Sequence, residues 1–287
     1  MNTSEINLVK ELIEEKLGIS CKISEIAKGS TIKTGISLGT DAEAGVLIPT
    51  VYVEDFKGTP EEIASKIVEA YNSEIKNKIP VMDDLSVITD WSKAKDNLTI
   101  VLRKHMDEGV FIRLCTEIDA TIKILLPDFN TGDYKASVRV SAEILKRWGK
   151  ALDEVFQIAL NNDSKRAYQY LDMMDFFIGK VSKEPINKIK SISMITVSND
   201  TWINGAAIIL QKKIMDNLAE IAGSDLVIIP SSIHECIIMP YTEEMKKVDL
   251  VEMIKTVNIQ EVSPEEVLSD VPYLYKKGIG VMDFPED

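Results

Sequence analysis

The sequence predicts an α+β fold, a mixed α/β arrangement in which a largely antiparallel sheet is flanked by helices, with a helical hairpin in the middle of the chain. Three observations predict it. Apolar residues recur at helical spacing in several well-capped segments. They alternate or run together in several short segments, and the two kinds succeed each other without a regular strand–helix rhythm.

The first segment, "MNTSEINLVKELIEEKLG", sets Ile6, Leu8, Val9, Leu12, Ile13 and Leu17 at helical spacing, with Thr3 or Ser4 placed to cap it and Gly18 to end it left-handed. "TIKTGISL" and "VLIPTVYVED" read as a hairpin about the Gly39 to Gly45 region. In "TPEEIASKIVEAYNSEIK", Thr59 caps, Pro60 takes the first helical position and Glu62 completes a capping box, while Ile63, Ile67, Val68 and Tyr71 share a face. Residues 1–90 are therefore expected as a helix–hairpin–helix lobe, with 91–287 as a larger mixed-sheet lobe. The two could equally form one continuous domain.

In the second part, Leu98, Ile100 and Leu102 alternate, as do Ile118, Ala120, Ile122 and Ile124, which predicts two strands with one wet face. Residues 141–180 are expected to be helical: "SAEILKRW" ending at Gly149, then "ALDEVFQIALNN" and "SKRAYQYLDMMDFFIG". Trp148 is read as a helix-end anchor, and Met173, Met174, Phe176 and Phe177 as core. "SISMITV", "GAAIILQKKIMDNLAEIAG" and "DLVII" suggest strand, helix and strand in a parallel crossover, after which "PSSIH" turns the chain back into "ECIIM". A helix over "TEEMKKVDLVEMIKTVN" and a capping box at "SPEE" close the series.

Lys plus Arg number 33 against 46 Asp plus Glu, a net charge of −13, so the average surface repels phosphate and no direct nucleic-acid binding is expected. Cys21, Cys115 and Cys236 are odd in number and widely spaced, which speaks for free thiols in a reducing compartment. With an amphipathic, acidic N-terminus and no membrane-length apolar run, the expected location is the cytoplasm.

Familiar catalytic patterns occur only in fragments. Ser30-x-x-Lys33 overlaps Lys33-Thr34-Gly35 on one strand, where penicillin-recognising enzymes keep them on separate elements. Asp128, Asp133 and Lys135 have nuclease-like residue types, but the gap is too short for two strands meeting at one metal. Phosphate-binding glycine loops are absent, and His105 and His234 are the only histidines, so no metal site and no cofactor is expected. The densest chemistry lies in "IIPSSIHECIIMP", where Ser231, Ser232, His234 and Glu235 crowd one turn. A serine nucleophile with a histidine base and an orienting carboxylate needs these residue types. A polar turn capping two core strands uses the same ones, with Glu235 facing away from His234 once the strand begins. Asn199 and Asp200, at a strand-to-helix handover, read as capping residues. His234, Glu235, Asn199 and Asn258 are the candidate binding residues.

"VLIPTVYVEDF", "GAAIIL", "IIPSSIHECIIMP" and "VNIQEVSPEEVLSDVPYLY" together resemble the domain-of-unknown-function family 5688 of clostridial-type bacteria, over nearly the whole chain. The resemblance implies a shared architecture and carries over no catalytic residue. The expected function is that of a non-catalytic bacterial protein acting by binding a protein partner, in an accessory or regulatory role that includes association with a mobile element. The alternatives are a hydrolase-like enzyme built on Ser231 or Ser232 with His234 and Glu235, and an acidic inhibitor that imitates nucleic acid.

Overall fold

The computed structural model describes residues 1–28, 31–39, 48–75, 86–105, 109–126, 137–179, 182–230 and 232–286. Two compact units divide the chain, Met1–Leu85 and Ser86–Asp287.

The first unit runs α1 (Thr3–Leu17), β1 (Cys21–Lys28), β2 (Thr31–Leu38), β3 (Thr50–Tyr52) and α2 (Pro60–Ala70). Asn2 caps α1, not Thr3 or Ser4; its side chain accepts from the Glu5 amide while the Glu5 carboxylate accepts from the Asn2 amide. Gly18 ends α1 in the left-handed conformation, and the Thr59–Pro60–Glu62 start of α2 is as the sequence reads. Val9 and Ile13 of α1, Ile36 and Leu38 of β2, and Ile63, Ala64 and Ile67 of α2 make the core. The expected hairpin is a three-stranded antiparallel sheet, because Cys21–Lys28 pairs residue for residue with Leu38–Thr31 on the far side of β2. The Gly39 to Gly45 turn and Ser30 lie largely outside the described residues.

The second unit runs α3 (Ser86–Thr89), α4 (Trp91–Ala94), β4 (Leu98–Lys104), β5 (Ile112–Arg113), β6 (Ile118–Leu125), β7 (Ser137–Arg139), α5 (Ala142–Trp148), α6 (Leu152–Asp163), β8 (Tyr168–Asp172), α7 (Met173–Phe177) and β9 (Glu184–Pro185). It continues with β10 (Ile195–Asn199), a 3-10 segment Gly205–Leu210, α8 (Lys212–Ala222), β11 (Leu226–Ile229), β12 (Cys236–Pro240), α9 (Lys247–Glu261), β13 (Tyr273–Lys276) and β14 (Gly280–Asp283). One sheet has the order β14-β13-β11-β12-β10-β8-β9; in the other β6 pairs with β4, β5 and β7. The chain is thus mixed α+β.

Several local expectations change. The helical stretch stops at Asp163, and Tyr168–Asp172 is a strand beside β10, so the middle of the chain is two helices followed by a strand rather than helix to residue 180. Every ladder between described strands of this sheet is antiparallel, because β12 inserts between β10 and β11 and leaves them no parallel contact. "SPEE" opens a turn and not a helix, and a β13–β14 hairpin follows it. Met174 is 61% exposed rather than core. Trp148 does anchor a helix end: its Nε1 donates to the Ile88 carbonyl at 2.9 Å, and its ring lies 5.2 Å from that of Trp91.

The face of β4 and β6 expected to be wet is covered. Asp119 is 0% exposed, and a carboxylate withdrawn from water needs charge and hydrogen-bond partners; it has Arg113 Nε at 2.8 Å, His105 Nδ1 at 2.7 Å and Arg103 Nη2 at 3.8 Å. Farther along this face Thr99 stands opposite Lys123, and Leu125 opposite Ser137.

Candidate functional site

β10 ends at Asn199, whose buried carboxamide organises the next four residues. Its Oδ1 accepts from the Thr201 amide at 3.1 Å, the Thr201 hydroxyl at 3.0 Å and the Ile203 amide at 3.4 Å, and its Nδ2 donates to the Ile203 carbonyl at 2.8 Å. Asn199 therefore closes a loop; the 3-10 segment that follows carries no side-chain cap. Trp202 and Asn204 in this loop take left-handed backbone angles, φ 56° and 54°, which cost a bulky residue of order 1–3 kcal/mol and persist only where the surroundings hold them. For Trp202 the hold is explicit: Nε1 donates to Gln169 Oε1 at 2.9 Å, and the Lys183 ammonium sits 4.3 Å from the ring centroid.

One side of this loop grips the turn that the sequence singles out. The Asn204 amide donates to His234 Nδ1 at 3.1 Å, and the His234 carbonyl accepts from the Gly205 amide at 2.9 Å and the Ser198 hydroxyl at 2.7 Å. Because Nδ1 accepts, the imidazole proton belongs on Nε2, which faces Glu266 Oε1 at 3.2 Å. Ser232, buried, accepts the His234 amide on its Oγ at 3.0 Å and hydrogen-bonds the Glu235 carboxyl. Burial pushes that carboxyl above the ordinary range, against the lowering effect of His234, the Ser232 hydrogen bond and Lys183. The imidazole is thus directed at Asn204 and Glu266, the Ser232 hydroxyl at Glu235, and no nucleophile–base contact joins Ser232 to His234. Ser231 lies outside the described residues, as does the 127–136 segment with Asp128, Asp133 and Lys135.

Asn258, on α9, is not in the turn. It donates to the Ser269 carbonyl at 3.0 Å and to Asp270 Oδ1 at 2.9 Å, and this segment backs the turn through Ser269 to Pro230 and Ile233 to Glu266. Burial raises all three thiols, Cys115 to about 12, so none is a ready nucleophile at neutral pH. Among the described residues no group of three or more His, Cys, Asp or Glu is arranged to hold a metal ion, and no helix is long and apolar enough to cross a membrane.

The other side of the loop roofs a cleft of about 300 Å³. Its floor is the β4–β6–β7 face, with Thr99, Val101, Lys123, Leu125 and Ser137; its wall is Arg166 and Ala167, and its roof runs from Asn199 to Asn204. The Asp200 amide donates to the Ala167 carbonyl at 3.1 Å and fixes roof to wall. Behind Arg166 stands Asp163, 3% exposed, which accepts from Thr99 Oγ1 and the Ile100 amide, both at 2.8 Å. Arg166 Nε pairs with Asp163 Oδ1 at 3.2 Å. Desolvation raises the Asp163 carboxyl despite these contacts. The terminal nitrogens of Arg166, the Asn204 carboxamide and the Ser137 hydroxyl meet no protein partner among the described residues, and all three residues line the cleft.

Sequence reasoning reached the turn and Asn199 but not Asn204, Gly205, Glu266, Asp163 or Arg166. The Asn204-Gly205 dipeptide was a usable signal, since Asn before Gly marks a left-handed turn position.

Comparison with curated proteins finds no match, and comparison with solved structures finds none. A family model described as "Family of unknown function (DUF5688)" matches residues 6–277, a span that contains the cleft, its roof and the His234 turn. The chain, matched over nearly its full length, belongs to the DUF5688 family of unknown function.

Proposed function

We propose that this protein acts by binding rather than by catalysis, as a cytoplasmic bacterial accessory or regulatory protein, and that its binding element is the cleft under the Asn199–Asn204 loop. The observation that carries this reading is the contrast between the two sides of that loop. On the turn side, Ser232, His234 and Glu235 spend their polar atoms on one another, on Asn204 and on Glu266. On the cleft side, Arg166, Asn204 and Ser137 present polar atoms to an open volume large enough for a small molecule. The shared loop gives the cleft a route to the surface. A ligand that touches Asn204 bears on the His234 turn one hydrogen bond away, and that turn is where a protein partner would sense occupancy.

The test is recovery of small molecules from protein purified under native conditions, released by denaturation and identified by mass spectrometry. Ser137→Trp, whose indole would occupy the cleft, serves as the comparison. A species retained by the wild type and missing from the variant is expected; identical sets from the two proteins would sink the cleft as the binding element.

A further inference from the structure

The lining of the cleft selects among small molecules. Arg166 lines the cleft, and its Nε is paired with the buried Asp163 at 3.2 Å, an ion pair that leaves its two terminal nitrogens for a ligand. A planar fork matches a carboxylate by two parallel hydrogen bonds. Lys123 adds a second positive charge to the lining, and Asp200 adds a negative one. In a chain of net charge −13, the Asp200 carboxylate and the general field both oppose a dianion, so a single negative charge is favoured over a phosphate. Uncharged polar residues and four apolar ones make up the rest of the lining. Val101, Leu125, Ala167 and Ile203 line the same space, and Ile203 is 40% exposed, an isoleucine kept partly in water at the mouth of a cleft.

Resting on the binding role of the cleft, we infer that its ligand is a short-chain monocarboxylate, with its carboxylate on the Arg166 guanidinium and its hydrocarbon body against Val101, Leu125 and Ile203. The Asn204 carboxamide is the adjacent polar group, so ligand occupancy touches the residue whose amide holds His234.

The experiment is calorimetric titration of the full chain with sodium pentanoate, sodium acetate and inorganic phosphate at constant ionic strength. Pentanoate should bind one to one and more tightly than acetate, and phosphate should neither bind nor compete. Arg166→Lys keeps the charge toward Asp163 but loses the fork, and should weaken both carboxylates about tenfold or more. Ile203→Ser should weaken pentanoate and leave acetate unchanged; this arm decides the matter alone if thermal unfolding shows Arg166→Lys to be misfolded. Silence toward pentanoate, tighter binding of phosphate, or equal binding by wild type and a folded Arg166→Lys would overturn the inference. If pentanoate is silent while Ser137→Trp still loses a co-purifying molecule, the cleft binds and only its assigned chemistry falls. If pentanoate binds Ser137→Trp as well as wild type, it binds elsewhere, and the site falls too.

Discussion

At Gly205 a hydrogen atom stands where any other residue would place a carbon. A Cβ there would come within 2.7 Å of both the Asn199 amide nitrogen and the His234 carbonyl oxygen, and into overlap with the Ser198 hydroxyl. Two of these obstacles are backbone and cannot rotate away. Gly205→Ala is therefore expected to destabilise the Ser86–Asp287 unit by about 2–3 kcal/mol in urea unfolding. Its amide resonance at residue 234 should shift more than those of strands far from the turn. The Glu235 carboxyl supplies a pH signature. Because its folded value is raised, the folded protein holds that proton more readily than the unfolded chain; the associated stability is present at acid pH and is lost as pH rises through the raised value. The stability of the wild type minus that of Glu235→Gln should fall as pH rises above the ordinary carboxylate range of about 4. A pH-independent difference would contradict the assigned environment. At this scale the sequence showed the polar crowd but not its geometry. His234 is tied to Asn204 and Glu266, residues 30 and 32 positions away, and nothing local reports such pairs.

Helix ends were the most legible elements, because a cap is a local contract between neighbouring residues. The Thr59 box, the left-handed Gly18 and the helix end at Gly149 follow from spacing alone. Even the error at the first helix was one residue wide, Asn2 in place of Thr3. Asn2→Ala should cost the Met1–Leu85 unit about 1 kcal/mol and speed amide exchange in the first turn of α1. Strands were harder to read. In β8 the buried residues are Tyr168 and Leu171, three apart, because the strand is only partly covered on each face; Ala167, Leu171, Met174 and Ile178 then imitate a helical stripe. β1 carries no clear strand signal, because Ile26 and Ala27 interrupt its alternation. The covered face of β6 was misread for a related reason. Asp119 looks solvent-facing until Arg113 and His105, from other strands or turns, are brought to it.

For the whole molecule, apolar periodicity and the succession of elements made the class of fold readable, and the order of strands stayed hidden. The helix-bearing connection from β10 to β11 suggested neighbours, whereas the sheet leaves a strand's width between them and fills it with the next segment, β12. The cleft could not be foreseen either, since it joins segments near residues 99, 123, 137, 166 and 200 that share no motif. The strand insertion has its own consequence for the making of the protein. Synthesis delivers β8, β10 and β11 before β12, so a nascent chain that has just exposed Ile229 holds two strands that are not neighbours in the finished sheet and whose common partner is still inside the ribosome. Arrival of Cys236–Pro240 then joins both halves of the sheet in one step and carries the His234 turn to its loop. Assembly of the sheet and of the His234 turn thus share one late event, and a pause in translation just before it would leave open edges exposed.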